Sequence, residues 1–228
     1  MNQCVLCQKI INFKLSLKQV LWLGPIEEPL VCQTCWQTFK KIGPSICPGC
    51  GNSQNDTSIC LDCQKWQKRY GYLVNNKALF EYNDAFSDYM QKYKFQGDYQ
   101  LRVVFQDIFN QFVTSLEADI IIPIPVTHHT MHTRGFNQVT GFLKTNVYDE
   151  TVLKHQSESK ETQSLKTRRE RLNMLQPFEI VSGNCDKLTN QQVLLVDDVY
   201  TTGRTLYHAA QLVKRYQPQS VTSVTLAR

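Results

Sequence analysis

From residue 78 onward the apolar positions follow two periods in turn, one suited to strands and one to helices. ALFEYN (78–83) alternates apolar and polar residues, as a half-buried strand does. Asn83 or Asp84 then supplies an N-cap for a helix through AFSDYMQKYKF that ends near Gly97. In YQLRVVFQDIFNQFVTSL (99–116), Leu101, Val104, Phe105, Ile108, Phe109 and Phe112 recur at helical spacing. DIIIPIP (119–125) is a short apolar run suited to a buried parallel strand, stopped by its prolines. FNQVTGFLKTNV (136–147) predicts a helix and TVL (151–153) a short strand. Residues 154–173 are polar and charged without an apolar period, which predicts either an exposed helix or a mobile loop. QQVLLVD (191–197) then reads as a strand, TLYHAAQLVKRY (205–216) as a helix and SVTSVTLA (220–227) as a last strand.

Strands alternating with helices predict an α/β domain: a mostly parallel sheet with helices on both faces. In such sheets ligands bind beyond the carboxyl ends of the strands. No apolar periodicity of this kind runs through the first 70 residues. The division expected is therefore a small cysteine-rich domain over 1–70 and an α/β domain over 71–228.

Eight of the nine cysteines lie within the first 63 residues, as four C-x-x-C pairs. Two cysteines two residues apart reach one tetrahedral ion from a single tight turn. Taken in order, Cys4, Cys7, Cys32 and Cys35 form one ligand set, and Cys47, Cys50, Cys60 and Cys63 another. An interleaved pairing satisfies the same spacing. The second set, CPGCGNSQNDTSICLDC, has the glycines and short polar loop of a zinc ribbon. Disulfides need an oxidising compartment. A redox C-x-x-C normally accompanies a β-α-β pattern, which is missing here. Two structural Zn²⁺ ions closed by thiolates are the reading adopted, with no open position for catalysis. Cys185 reads as an ordinary packed or surface thiol.

The opening MNQCVLCQKII reads as a start without a secretory leader, which places the expected site of action in the cytoplasm. No run of about 18 apolar residues marks a membrane span. The net charge of +5 suits an anionic partner without requiring one. Aromatic and basic residues intermix at Trp36, Lys40, Lys41, Trp66, Lys68, Arg69, Tyr70 and Tyr72. That mixture either binds single-stranded nucleic acid, bases stacking on the rings, or seals a junction between domains while its cations stay solvated.

The chemistry concentrates in VLLVDDVYTTGRT (193–205). An apolar strand delivers Asp197 and Asp198 to the sheet edge, where two like charges in contact resist burial. The turn behind them leads into a helix, and its N–H groups form an anion cradle. Gly203 permits close approach, and Thr201, Thr202 and Thr205 add hydroxyls. Such a site takes phosphate on one side and hydroxyls or a hydrated Mg²⁺ on the other, and a phosphorylated sugar carries both kinds of group.

The stretch resembles the phosphoribosyl pyrophosphate (PRPP) signature of type I phosphoribosyltransferases. The resemblance implies PRPP binding, with Mg²⁺, by Asp197, Asp198, Val199, Tyr200, Thr201, Thr202, Gly203, Arg204 and Thr205. The acids would meet the ribose hydroxyls, and Thr201 through Thr205 the 5-phosphate. With the cysteine pairs ahead of it, and with YKFQGDYQLR (93–102), IIPIPV (121–126), RGFNQ (134–138) and QSLKTRRERLNM (163–174), the whole chain is similar to the ComF family. That likeness implies a late-competence accessory role in DNA uptake during natural transformation. The implied partners are single-stranded DNA and a ComFA-type helicase, with peripheral association at the membrane uptake machinery. The alternative implied by the fold is an active phosphoribosyltransferase acting on a nucleobase-like acceptor, and the catalytic residues remain unassigned. The likeness further implies that the loop after IIPIP meets pyrophosphate, with Arg134 as its cation. Arg168, Arg169, Arg171 and Asn173 would belong to a hood closing over PRPP, or to a solvated basic loop. Family members often carry Lys or Arg before RGFNQ, where this chain has His128, His129 and His132. Neutral histidines would contribute little to pyrophosphate binding at pH 7.

Overall fold

Four parallel strands organise the computed structural model, which describes residues 3–12, 21, 28–156 and 176–228. The charged segment with Arg168, Arg169, Arg171 and Asn173 lies outside the described residues. Short helices α1 (Gln33–Gln37) and α2 (Leu61–Tyr70) follow the cysteine pairs. Next come β1 (Asn76–Phe80) and α3 (Asp84–Met90), then a π turn over Gln91–Phe95 and a 3₁₀ segment over Tyr99–Val104. Helix α4 (Gln106–Thr114), β2 (Ile120–Pro123), α5 (His128–Arg134) and α6 (Gln138–Gly141) lead to a ribbon of β3 (Leu153–His155) and β4 (Phe178–Ile180). The chain closes with β5 (Gln192–Val199), α7 (Arg204–Val213) and β6 (Ser220–Ala227). The main sheet has the order β1-β6-β5-β2 with every pair parallel, while β3 and β4 pair antiparallel apart from it.

The apolar run of β5 is explained by its place inside the sheet, where both faces are covered. Its period of two sends Val193 and Leu195 toward α7 and the β3–β4 ribbon. Leu194 and Val196 enter a second core built from α3, the π turn, α4 and α6. Helices on both faces of a parallel sheet are thus observed. Phe105, fully buried, meets Phe39, Phe80, Phe86 and Tyr89 with ring centroids 4.8–5.4 Å apart.

The cysteine region wraps the β1 edge of this sheet. Leu6, Val31 and Trp36 of the first cysteine segment pack with Phe39 against the α3–α4 core. Lys40–Ile42 then runs antiparallel to β1, with Ile42 N–H donating to Leu79 (2.9 Å) and Glu81 N–H to Lys40 (2.8 Å), so the edge is covered. Cys47, Cys50 and Cys63 enter the core on the α7 face. Trp66 stacks on Tyr207 at 4.7 Å, and Tyr70 lies on the same ring at 5.2 Å. The rings of the aromatic-basic mixture therefore serve the junction. Lys40, Lys41, Lys68 and Arg69 remain exposed.

Several elements depart from the sequence reading. Asn83 caps α3 as expected, accepting from Phe86 N–H at 3.0 Å. The helix expected over 99–116 breaks at Phe105, which turns into the aromatic core. The helix expected over 136–147 shrinks to α6. There the buried Asn110 takes the Lys144 N–H (3.0 Å), and Phe142 and Leu143 are both drawn into the core. The short strand placed at 151–153 lies at Leu153–His155. Helix α5, capped by Thr127, stands where the sequence predicts a loop after IIPIP. No described helix is long and apolar enough to cross a membrane.

Asn76 joins cysteine region to sheet. Its amide donates to the Cys50 carbonyl and to Thr225 Oγ1 (both 3.1 Å), and its oxygen accepts from Ser223 (2.9 Å). Asn76→Ala leaves these buried groups unpaired and is expected to lower stability by about 2–3 kcal/mol in urea denaturation.

Candidate functional site

The acid pair sits at the carboxyl end of β5, and both side chains are buried, Asp197 at 8% and Asp198 at 4% exposure. Strand geometry separates them. Asp198 follows Leu194 and Val196 to the α3 side, where the π turn presents Lys94. Lys94 Nζ lies 2.6 Å from Asp198 Oδ2. Asp197 turns back to accept the Asp198 N–H at 2.9 Å. Among the described residues it forms no ion pair: burial first, and the Asp198 charge second, raise its carboxyl pKa to about 8, against a smaller opposing pull from Lys94.

Beyond the acids the chain makes the turn Tyr200–Gly203 and enters α7. Gly203 is left-handed (φ 80°), and a Cβ there would lie 2.1 Å from Tyr200 Oη, so glycine is required twice over. The first N–H groups of α7 have no partner within the helix and carry its positive dipole end.

These elements form one wall of a cleft of about 470 Å³, within the range of small-molecule sites. Asp197, Asp198, Val199, Thr201, Arg204 and Thr205 line it, whereas Tyr200, Thr202 and Gly203 shape the turn from behind. The opposite wall is α5, where Thr127, Thr130 and Arg134 share one helical face and Arg134 hydrogen-bonds Gln138. His128, His129 and His132 point to solvent and join no metal-binding group among the described residues. His155, Phe178 and His208 complete the cleft. Burial, then the charges of Arg204 and Arg69, lower the His208 pKa and favour the neutral ring.

No motif or spacing in the sequence singles out Lys94, His155 or His208. Lys94 is far from the acids along the chain, and only its place in the family-like stretch YKFQGDYQLR hinted at it. The histidines had no spacing signal. Arg168, Arg169 and Arg171 lie outside the described residues.

The eight N-terminal cysteines gather in sequential order, Cys4, Cys7, Cys32 and Cys35 in one group and Cys47, Cys50, Cys60 and Cys63 in the other, each with its sulfurs within 4.8 Å of one another. A tetrahedral ion with Zn–S bonds of about 2.3 Å separates sulfurs by about 3.8 Å. Cys7–Cys32 and Cys50–Cys60 show 3.8 Å. Backbone N–H groups of Cys32 and Cys60 donate to Cys4 Sγ and Cys47 Sγ. A hydrogen bond from Cys63 pulls Cys50 down to about 4, aided by Arg228, and the same contact pushes Cys63 far up. Four thiols so close cannot all ionise without a cation between them, and both groups fit a bound metal ion.

Residues 136–228 match the family model described as phosphoribosyl transferase domain, in keeping with the parallel sheet and the acid-turn-helix cleft. Over the whole chain, the competence protein ComFC of Streptococcus pneumoniae is 33% identical across 226 residues, covering 99% of this chain and 100% of that protein. The competence protein ComFC of Bacillus subtilis is 31% identical, covering 99% and 94%. Competence protein F of Haemophilus influenzae is 24% identical, covering 87% and 90%. The chain belongs to the ComFC family.

Two outcomes test the site. Metal analysis of the purified chain is expected to find two zinc ions, and one in Cys63→Ser. The raised Asp197 pKa makes its contribution to stability full below the unfolded value near pH 4 and lost as pH rises through about 8. Asp197→Asn removes that loss. Its thermal midpoint without ligand should exceed that of the parent by several degrees at pH 8 and by less at pH 5.

Proposed function

We propose that this protein is a late-competence accessory factor of DNA uptake in natural transformation, binding PRPP with Mg²⁺ in the cleft and single-stranded DNA on its surface. The observation that carries this reading is the pair of buried carboxylates opening on the same cleft as a glycine turn and the start of a helix. Ribose hydroxyls can donate to Asp197 and Asp198. A phosphate can be met by Thr201, Thr205 and the N–H groups of the turn. Arg134 on α5 faces the same space and suits the pyrophosphate. The site residues of this reading are therefore Asp197, Asp198, the Val199–Thr205 segment and Arg134.

The relatives named for competence at near full length support the physiological role. Exposed cations without carboxylate partners among the described residues, at Lys40, Lys41, Lys68, Arg69, Lys214 and Arg215, support an anionic polymer as partner. A ComFA-type helicase is the proposed protein partner, in the cytoplasm and peripheral to the membrane. One observation favours transfer as a second reading. Phe178 and His155 meet edge to face at 5.4 Å on the cleft wall, a surface against which a base-like acceptor can lie.

A titration of a single-stranded oligonucleotide, with and without PRPP and Mg²⁺, tests both ligands. Binding at low ionic strength that weakens steeply with salt is expected. In calorimetry, Asp198→Ala should lose PRPP while keeping DNA affinity. A cleft that stays vacant at about millimolar PRPP sinks the ligand reading. Pyrophosphate release with a nucleobase, lost in Asp197→Ala, would put transfer first.

A further inference from the structure

The second cysteine group and the phosphate-binding turn share one core. Cys47, Cys50 and Cys63 pack in it with Tyr200, Leu206 and Tyr207. Two side chains tie them further. Trp66, three residues past Cys63 on α2, stacks on Tyr207 and donates its indole N–H to the Thr202 carbonyl at 2.9 Å. Arg228 lies over the Tyr200 ring (4.9 Å), donates to the Tyr200 and Thr201 carbonyls (3.4 and 3.3 Å), and its positive charge acts on Cys50. Three successive carbonyls of the turn are thus held from the cysteine side.

The planar trans peptide converts that grip into aim. Each N–H points opposite to the carbonyl of the preceding residue. Holding the carbonyls of Tyr200, Thr201 and Thr202 turns the N–H groups of Thr201, Thr202 and Gly203 the other way. None of these three has a partner among the described residues. Three consecutive free N–H groups form an anion nest. The first cysteine group shows no such connection among the described residues: Leu6, Val31 and Trp36 of its segment pack against the other face of the sheet.

We propose that the second four-cysteine centre, Cys47, Cys50, Cys60 and Cys63, positions the phosphate-binding turn, with Trp66 and Arg228 as the positioning residues that transmit its order. The proposal rests on the PRPP reading of the cleft. It requires coupling in both directions, since a metal that orders the turn for the ligand must itself be held more tightly when the ligand is bound.

The full-length, zinc-loaded chain serves for the test. Trp66→Phe keeps an aromatic ring against Tyr207 and removes only the donor. Its PRPP affinity in calorimetry should fall about five- to tenfold at unchanged zinc content. Arg228→Gln should fall likewise and stands in if Trp66→Phe does not fold. In the parent, saturating PRPP and Mg²⁺ should slow zinc transfer to a colorimetric chelator for one of the two ions and leave the other unchanged. A merely structural centre would show no such selectivity. PRPP binding undiminished in both variants, with zinc release indifferent to PRPP, overturns the proposal and leaves the PRPP reading standing. Failure of the parent to bind PRPP overturns both.

Discussion

Like charges next to one another at the end of a buried strand set the terms for the rest of this molecule. Asp197 and Asp198 cannot both stay ionised in an apolar setting without counter-charge. The structure answers in part, by sending Asp198 to Lys94 on one side of the sheet. On the other side the hydrogen bond that Asp197 makes among the described residues is with the N–H of its neighbour, and burial raises its carboxyl pKa to about 8. A site left incompletely compensated is one that a ligand can complete. The parallel sheet places it where all four strands end, so α5, the β3–β4 ribbon and the start of α7 can close around it.

Much of the remaining architecture holds that strand end still. Among the described residues of the cysteine region, Phe39 and four cysteines are the buried apolar side chains, so the region depends on two further sources of order. One is metal, for which each group of four sulfurs is already assembled. The other is the sheet, gripped at its β1 edge by Lys40–Ile42 and on its two faces by Trp36 and Trp66. The aromatic residues that composition associates with base stacking are largely used in this grip. The cations among them are left exposed at the surface. Cleft and cysteine-rich region are therefore mechanically joined, through Arg228 and Trp66, in a way that a bead tethered to the sheet would not be.

Features governed by near neighbours were legible in the chain. The C-x-x-C spacing defines a knuckle, Asn83 caps the helix that follows it, and the apolar run before Asp197 makes a strand of β5. Helix α6 is shorter than its apolar spacing predicts, because Asn110, a residue of another helix, captures the N–H of Lys144. Helix α5 is not legible in the sequence, because its polar residues show no apolar stripe and its inward face is made of Thr127, Thr130 and Arg134.

Residue order alone thus determined the strand that ends in two acids, the turn that needs glycine, and four pairs of thiols able to grip metal, since each depends on contacts within a few residues. Tertiary structure decided which pairs meet, that Lys94 faces Asp198, that His155 and His208 close the cleft, and that Trp66 and Arg228 hold the turn from behind. Those contacts join residues distant along the chain. Their geometry follows from how the faces of one sheet are covered, and no local spacing encodes that.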